Sequence, residues 1–192
     1  MATYRATTEI PQLVRQAMDI AEHVRFEHSC TPEVGRLLRL LTAHLRDGRI
    51  GEIGTGCGVS AAWIVSALVP GASFVTVELD AARAEAARAL LDPYPNVRVL
   101  QGDWHGILDH GPFDLLFADT PAKHEEPEAL LAALRPGGVL VLDDLTPETH
   151  WPPAWRGQRD PVRDFWLNDP RLHATELLTT PTSAVILATR QY

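Results

Sequence analysis

Glu52-Ile53-Gly54-Thr55-Gly56-Cys57-Gly58-Val59-Ser60 joins a short apolar run to an apolar stretch with helical spacing. Glycines at alternate positions let the backbone take positive φ and approach a ligand closely. The helix start that follows offers free N–H groups to an anion. The next apolar run ends at Glu78, 20 residues beyond Gly58. A carboxylate at the end of the neighbouring strand can accept hydrogen bonds from ribose hydroxyls. Loop and acid together predict a site for a nucleoside with a charged tail. Val59 stands where the dinucleotide fingerprint GxGxxG has its third glycine, which argues against a nicotinamide cofactor.

Outward from this loop, helical and strand patterns alternate. On the N-terminal side, residues 9–27 read as an amphipathic helix, and Thr31-Pro32-Glu33 is a capped start for a second helix that Gly48 ends. Strands are predicted at 49–53, 73–78, 97–101, 113–118 and 139–142, and helices at 60–68, 81–91, near 104–108, 125–134 and 160–168. Two last strands, near 172–178 and 183–189, are separated by Thr179-Thr180-Pro181-Thr182 alone. Four residues are too few for a parallel crossover, so these two form an antiparallel hairpin. The pattern predicts one α/β domain over residues 1–192, with helices through residue 48 and a doubly wound core from 49. Its seven-stranded sheet is mostly parallel, with an antiparallel last strand.

Composition narrows the partners. Net charge is −8 with no basic block, so nucleic acid is not expected as a partner. No stretch approaches the ~20 apolar residues of a membrane span, and the N-terminus lacks a signal-peptide core. Two cysteines give no disulfide framework, and Cys57 reads as a small packing residue in the loop. A cytoplasmic setting is expected. Lys123 is the only lysine beside 16 arginines, which suggests a role that a guanidinium cannot fill.

Taken together, residues 31–190 resemble the class I S-adenosylmethionine-dependent methyltransferases, and more closely the small bacterial O-methyltransferases related to catechol O-methyltransferase. The resemblance rests on Gly35-Arg36-Leu37-Leu38, the run from Glu52 to Ser60, Val77-Glu78-Leu79-Asp80, the strand ending in Asp119, Leu134-Arg135-Pro136-Gly137-Gly138, Val141-Leu142-Asp143-Asp144 and Asp160-Pro161-Val162-Arg163-Asp164-Phe165. It implies that S-adenosylmethionine is held by Glu52, Gly54, Gly56, Gly58, Ser60, Glu78, Asp103, Trp104, His105 and Asp119. Ser60 would help bind the methionine carboxylate and Glu78 the ribose, while Asp80 can cap the following helix instead. The acceptor implied is a small catechol-like or phenolic molecule. The family is often dimeric, and the first helix offers an apolar face to a second copy.

The resemblance also implies a divalent cation, Mg²⁺ or else Mn²⁺ or Ca²⁺, held by Asp119, Asp143 and Asp144 at the ends of two neighbouring strands. Relatives carry Asp, Asp and Asn at these positions, so Asp144 adds a negative charge. Metal-free methyltransferases also end the fourth strand with an acid, so a metal-independent enzyme acting on another hydroxyl, an amine or a carboxylate stays open. Lys123 is the implied base, with Asp119 beside it. In the family the lysine follows the acid by three residues; here the spacing is four, with Pro121 inside it. The 149–158 loop, with Trp151 and Trp155, is expected to wall the acceptor pocket.

Overall fold

The computed structural model describes residues 9–192; the first eight residues of the expected domain lie outside the described part. Seven strands, β1 (Arg49–Ile53), β2 (Ser73–Glu78), β3 (Val97–Gln101), β4 (Phe113–Ala118), β5 (Leu134–Leu145), β6 (Leu172–Thr180) and β7 (Ser183–Arg190), form one sheet. Their order is β3-β2-β1-β4-β5-β7-β6. The first five are mutually parallel, and β7 runs antiparallel to both β5 and β6. This is the expected architecture.

Helices cover both faces of the sheet. On one side lie α1 (Gln12–His23), α2 (Pro32–His44) and α3 (Val59–Val65), with Leu91 of α4 (Ala81–Leu91) joining their core. On the other lie a 3₁₀ turn (Trp104–His110), α5 (Ala122–Glu125), α6 (Pro127–Ala132) and α7 (Pro161–Asn168). Because side chains alternate along a strand, β4 feeds both cores. Leu115 and Phe117 pack toward α3, and Leu116 and Ala118 toward α6 and α7. A strand buried on both faces is apolar throughout, which is why Phe113–Ala118 reads as an almost continuous hydrophobic run.

Where the helices depart from expectation, local chemistry explains it. The stretch predicted as one helix over 125–134 is two, broken at Glu126, which sits at φ −138°. Pro127 disfavours helical backbone at the residue before it and then opens α6. β5 begins at Leu134 rather than 139, because Leu134 pairs with Phe113 before the ladder shifts register. α1 spans Gln12–His23 rather than 9–27, and α2 stops at His44 rather than running to Gly48. α3 ends at Val65, short of residue 68, with the Ser66 hydroxyl donating to the Trp63 carbonyl at 2.7 Å. The apolar face of α1, expected to suit a second copy, buries Leu13, Val14, Ala17 and Ala21 in this chain's own core.

The register positions the site. Ile53 lies opposite both Val77 and Ala118, and Ala118 lies opposite Leu142. The residues that follow are Gly54, Glu78, Asp119 and Asp143, so all four meet along one edge of the sheet. Strand order reverses between β1 and β4, the switch point where open α/β sheets bind ligands.

Trp166 of α7 anchors α5 beside this edge. It is fully buried, and its indole N–H donates to the Lys123 carbonyl at 2.8 Å. Trp166→Phe keeps an aromatic ring at this position but leaves that carbonyl without its donor. The expected loss is about 1–3 kcal/mol, or roughly 2–4 °C of Tm per kcal/mol for a chain of this length. An unchanged thermal midpoint would rule out this bond as a support of the fold.

Candidate active site

The glycine loop has the predicted conformation. Gly54, Gly56 and Gly58 have φ of 94°, 53° and 88°, and Gly58 opens α3. At Gly54 a side chain would also be excluded by space: a Cβ there would lie 2.8 Å from Thr120 Cγ2 and 3.1 Å from the Asp119 carbonyl oxygen. The loop is pinned to β2, with the Gly54 and Thr55 N–H groups donating to the Val77 carbonyl at 3.0 and 3.2 Å.

Glu78 organises the space beside it. Its Oε2 accepts the Gly56 N–H at 2.8 Å, and its Oε1 accepts the Asp80 N–H at 2.9 Å. Arg83 donates to Oε1 from Nε at 3.1 Å and from Nη2 at 2.8 Å. A carboxylate offers about four lone-pair positions, about two on each oxygen, so Oε2 keeps one open beside the cavity that Glu78 lines. Asp80 caps α4 by accepting the Arg83 N–H at 2.9 Å.

A cavity of about 420 Å³ lies above this edge. Gly54, Gly56, Ser60, Glu78, Asp103, Trp104 and Asp119 line it, together with Phe26, Ser29, Cys30, Arg83, Thr120 and Asp144. His105 does not join them. It stacks on Trp104 at 4.0 Å, contacts Asp103 through Nδ1, and lies 3.0 Å from Glu126 Oε1 through Nε2. These carboxylates raise the His105 pKa, Asp103 foremost. Glu52 lies beneath the loop with no exposed surface, accepting from the Thr76 hydroxyl at Oε2. Burial pushes its pKa up to about 7, against the Ser60 and Thr76 hydroxyls and with Asp119 and Glu78 adding to the rise.

The residues fit S-adenosylmethionine. Two buried polar atoms at this cavity, Ser29 Oγ and Thr120 Oγ1, have no hydrogen-bond partner. Buried polar atoms are ordinarily satisfied, and a polar amino-acid tail would satisfy them here.

A second cavity of about 620 Å³ adjoins the first and shares Asp119, Thr120, Pro121 and Asp144 with it. Lys123, His124, Trp151 and Trp155 line its remaining wall with Val162 and Arg163. The 149–158 loop contributes Trp151, Trp155 and Gln158 to this wall. The Trp151 indole N–H donates to the Thr146 carbonyl at 2.9 Å, and Arg163 Cζ lies 5.4 Å from the indole ring centroid. Trp155 by contrast is 59% exposed, leaving a flat apolar face at the mouth.

The three acids are not arranged as expected. Asp119 and Asp144 line both cavities, but Asp143 lines neither. The Asp143 carboxylate is buried and accepts the Asp144 N–H at 2.8 Å. Asp144 sits at φ 60°, a left-handed conformation that turns the two neighbours to different sides. Burial raises the pKa of Asp143 to about 6 and lifts that of Asp119, with Lys123 opposing both rises. Among the described residues, no three His, Cys, Asp or Glu side chains gather to hold a metal ion. Instead the Lys123 ammonium, itself buried, donates to the Asp143 carbonyl at 2.6 Å. This donor set does not fit a divalent cation.

Phe26, Ser29, Thr120 and Arg83 were not anticipated. The first two reach the cavity because Arg25 takes φ 57° at the end of α1 and turns the chain back. A single Arg in an otherwise helical pattern carries no signal of that turn.

Comparison with known proteins agrees with this geometry. A methyltransferase-domain family matches residues 52–145. Catechol O-methyltransferase of Niastella koreensis is 31% identical over 128 residues, 61% of this chain and 58% of that protein. Protein-L-isoaspartate O-methyltransferase of Sodalis glossinidius is 37% identical over 110 residues, 57% of this chain and 51% of its own. The chain thus spans little more than half the length of these curated relatives. Over nearly its whole length it is similar to the O-methyltransferase TomG of Streptomyces achromogenes, which is involved in tomaymycin synthesis and was solved with S-adenosylmethionine. That structure has a TM-score of 0.77 and 26% identity, covering 97% of this chain and 92% of the other. The matched segment carries the glycine loop, Glu78 and the acids that close β4 and β5, and the strand order completes the pattern: residues 52–145 match a methyltransferase domain, on the fold of the class I S-adenosylmethionine-dependent methyltransferases.

Proposed function

We propose that the chain is an O-methyltransferase that moves a methyl group from S-adenosylmethionine to a hydroxyl of a small phenolic acceptor. The observation that carries this is the junction of two cavities at Asp119, Thr120, Pro121 and Asp144, one lined by the glycine loop and Glu78, the other by tryptophans. When bound, S-adenosylmethionine supplies a methyl group activated by its sulfonium.

The chain's own residues hold and orient. Glu78 binds the ribose and Trp104 packs by the base, while Ser29, Ser60 and Thr120 receive the polar tail. Trp151 and Trp155 confine a flat ring with few polar contacts, and fixing two reactants in line removes much of the barrier. Asp119 stands on the shared wall with its pKa raised by burial, so it accepts the hydroxyl proton better than an ordinary aspartate does. The Lys123 ammonium lies on the acceptor side to face the developing oxyanion.

A second reading is methylation of a peptide carboxylate, favoured by the similarity to isoaspartate methyltransferases. Radiolabelled methyl donor offered with phenols, catechols and an isoaspartyl peptide separates the two. Label in a phenolic ether is expected. Label in the peptide alone would replace the hydroxyl assignment, and absence of S-adenosylhomocysteine binding by calorimetry would remove methyl transfer itself. Among the described residues no helix is long and apolar enough to cross a membrane.

A further inference from the structure

We infer that the Lys123 ammonium takes the place of the divalent cation in this chain, so that the site works with an internal organic cation and excludes metal. The inference rests on the methyl-transfer reading and concerns how that site meets charge.

Four observations converge. The segment from Asp119 to Lys123 is one residue longer than the resemblance implies and carries Pro121. α5 then buries Lys123, and Trp166 fixes its backbone by donating to the Lys123 carbonyl at 2.8 Å. From that anchor, Nζ reaches across to the Asp143 carbonyl at 2.6 Å, joining α5 to the end of β5. Finally, the Asp143 carboxylate has turned to the Asp144 N–H and is withdrawn from both cavities. A cation arriving here would meet one ammonium and only two facing carboxylates, Asp119 and Asp144. Two like charges a few ångströms apart in a partly buried site repel by kilocalories. Lysine suits the position better than arginine because its compact ammonium directs three donors from one point. In a chain whose other strong bases are all arginine, that is a physical reason for this lysine.

The experiment titrates Mn²⁺ into the metal-stripped protein with S-adenosylhomocysteine bound, reading free Mn²⁺ by electron paramagnetic resonance. Wild type is expected to leave the Mn²⁺ free. Lys123→Met, which keeps the chain length and removes the charge, should gain one site per chain, with affinity raised at least about ten-fold by loss of the like charge. Lys123→Arg, which keeps the charge, should still exclude the ion. One stoichiometric Mn²⁺ in wild type, lost in Asp119→Asn, would overturn the inference, as would Met and Arg variants that bind alike. Should the Met variant fail to fold by thermal melting, the wild-type titration and the Arg variant still decide. Mn²⁺ binding to wild type leaves methyl transfer intact, whereas failure to bind S-adenosylhomocysteine removes that reading instead.

Discussion

Glu78→Ala is expected to weaken S-adenosylhomocysteine binding about hundred-fold, read by calorimetry, while leaving the protein folded. A hydrogen bond to a charged acceptor contributes about 1.5–3 kcal/mol, so the one ribose hydroxyl that Oε2 has room to accept is worth about one to two decades in Kd. The structure adds a second source of loss. Glu78 is also the acceptor for the Gly56 and Asp80 N–H groups and for Arg83, so its removal loosens the loop that must cradle the ligand. This makes a distinguishing prediction for Glu78→Gln. An amide of the same shape would turn N–H donors toward groups that are themselves donors, so the Gln variant should bind nearly as poorly as the Ala variant. A surface carboxylate with no ligand role would show less than a three-fold change in either. Thermal midpoints of both variants, measured without ligand, separate loop disorder from global unfolding.

Much of this site was legible in the sequence because the fold needs little to bring it together. Parallel strands in register place their last residues on one line, so Glu78 and Asp119 could be assigned to the crevice from strand ends alone. The boundaries of β1 through β4 followed for the same reason: each is a short apolar run closed by turn residues or an acid. What escaped depends on backbone states that a residue string does not display. Asp143 and Asp144 read as a pair of equivalent ligands, yet a positive φ at Asp144 sends one carboxylate inward and the other into the crevice. The Lys123 position was readable as a spacing but not as a contact, since the Asp143 carbonyl is 20 residues away in the chain. Phe26 and Ser29 come from a connection between helices, where neither periodicity nor capping marks a residue as ligand-facing.

Glu52→Gln should stabilise the ligand-free protein at pH 8 and do little at pH 4.5. Glu52 is fully buried on β1, and its pKa rises from the ordinary carboxylate value of 4.5 to about 7, chiefly through burial. Because the folded-state value lies above the unfolded one, the folded chain keeps a proton that the unfolded chain releases. Its stabilising contribution is complete below pH 4.5 and is lost as pH rises through about 7. The loss amounts to about 3 kcal/mol once the group is ionised, at 1.36 kcal/mol per pH unit. Glutamine avoids it, since its amide oxygen still accepts from Thr76 and carries no charge to desolvate. The expected gain at pH 8 is roughly 5–10 °C in Tm for a chain of this length, shrinking to nothing toward pH 4.5. Below pH 6 a slope should persist in the variant, because Asp143 is raised to about 6 by its own burial. A variant with the wild-type pH profile would show that Glu52 is not the titrating group. The same carboxylate explains why such a costly residue is useful under a glycine loop. An ionised Glu52 beside Asp119 and Glu78 favours a cationic ligand, so binding of a sulfonium donor should release its proton. Calorimetry at pH 6.5 in buffers of different ionisation enthalpy should find that release in wild type and not in Glu52→Gln.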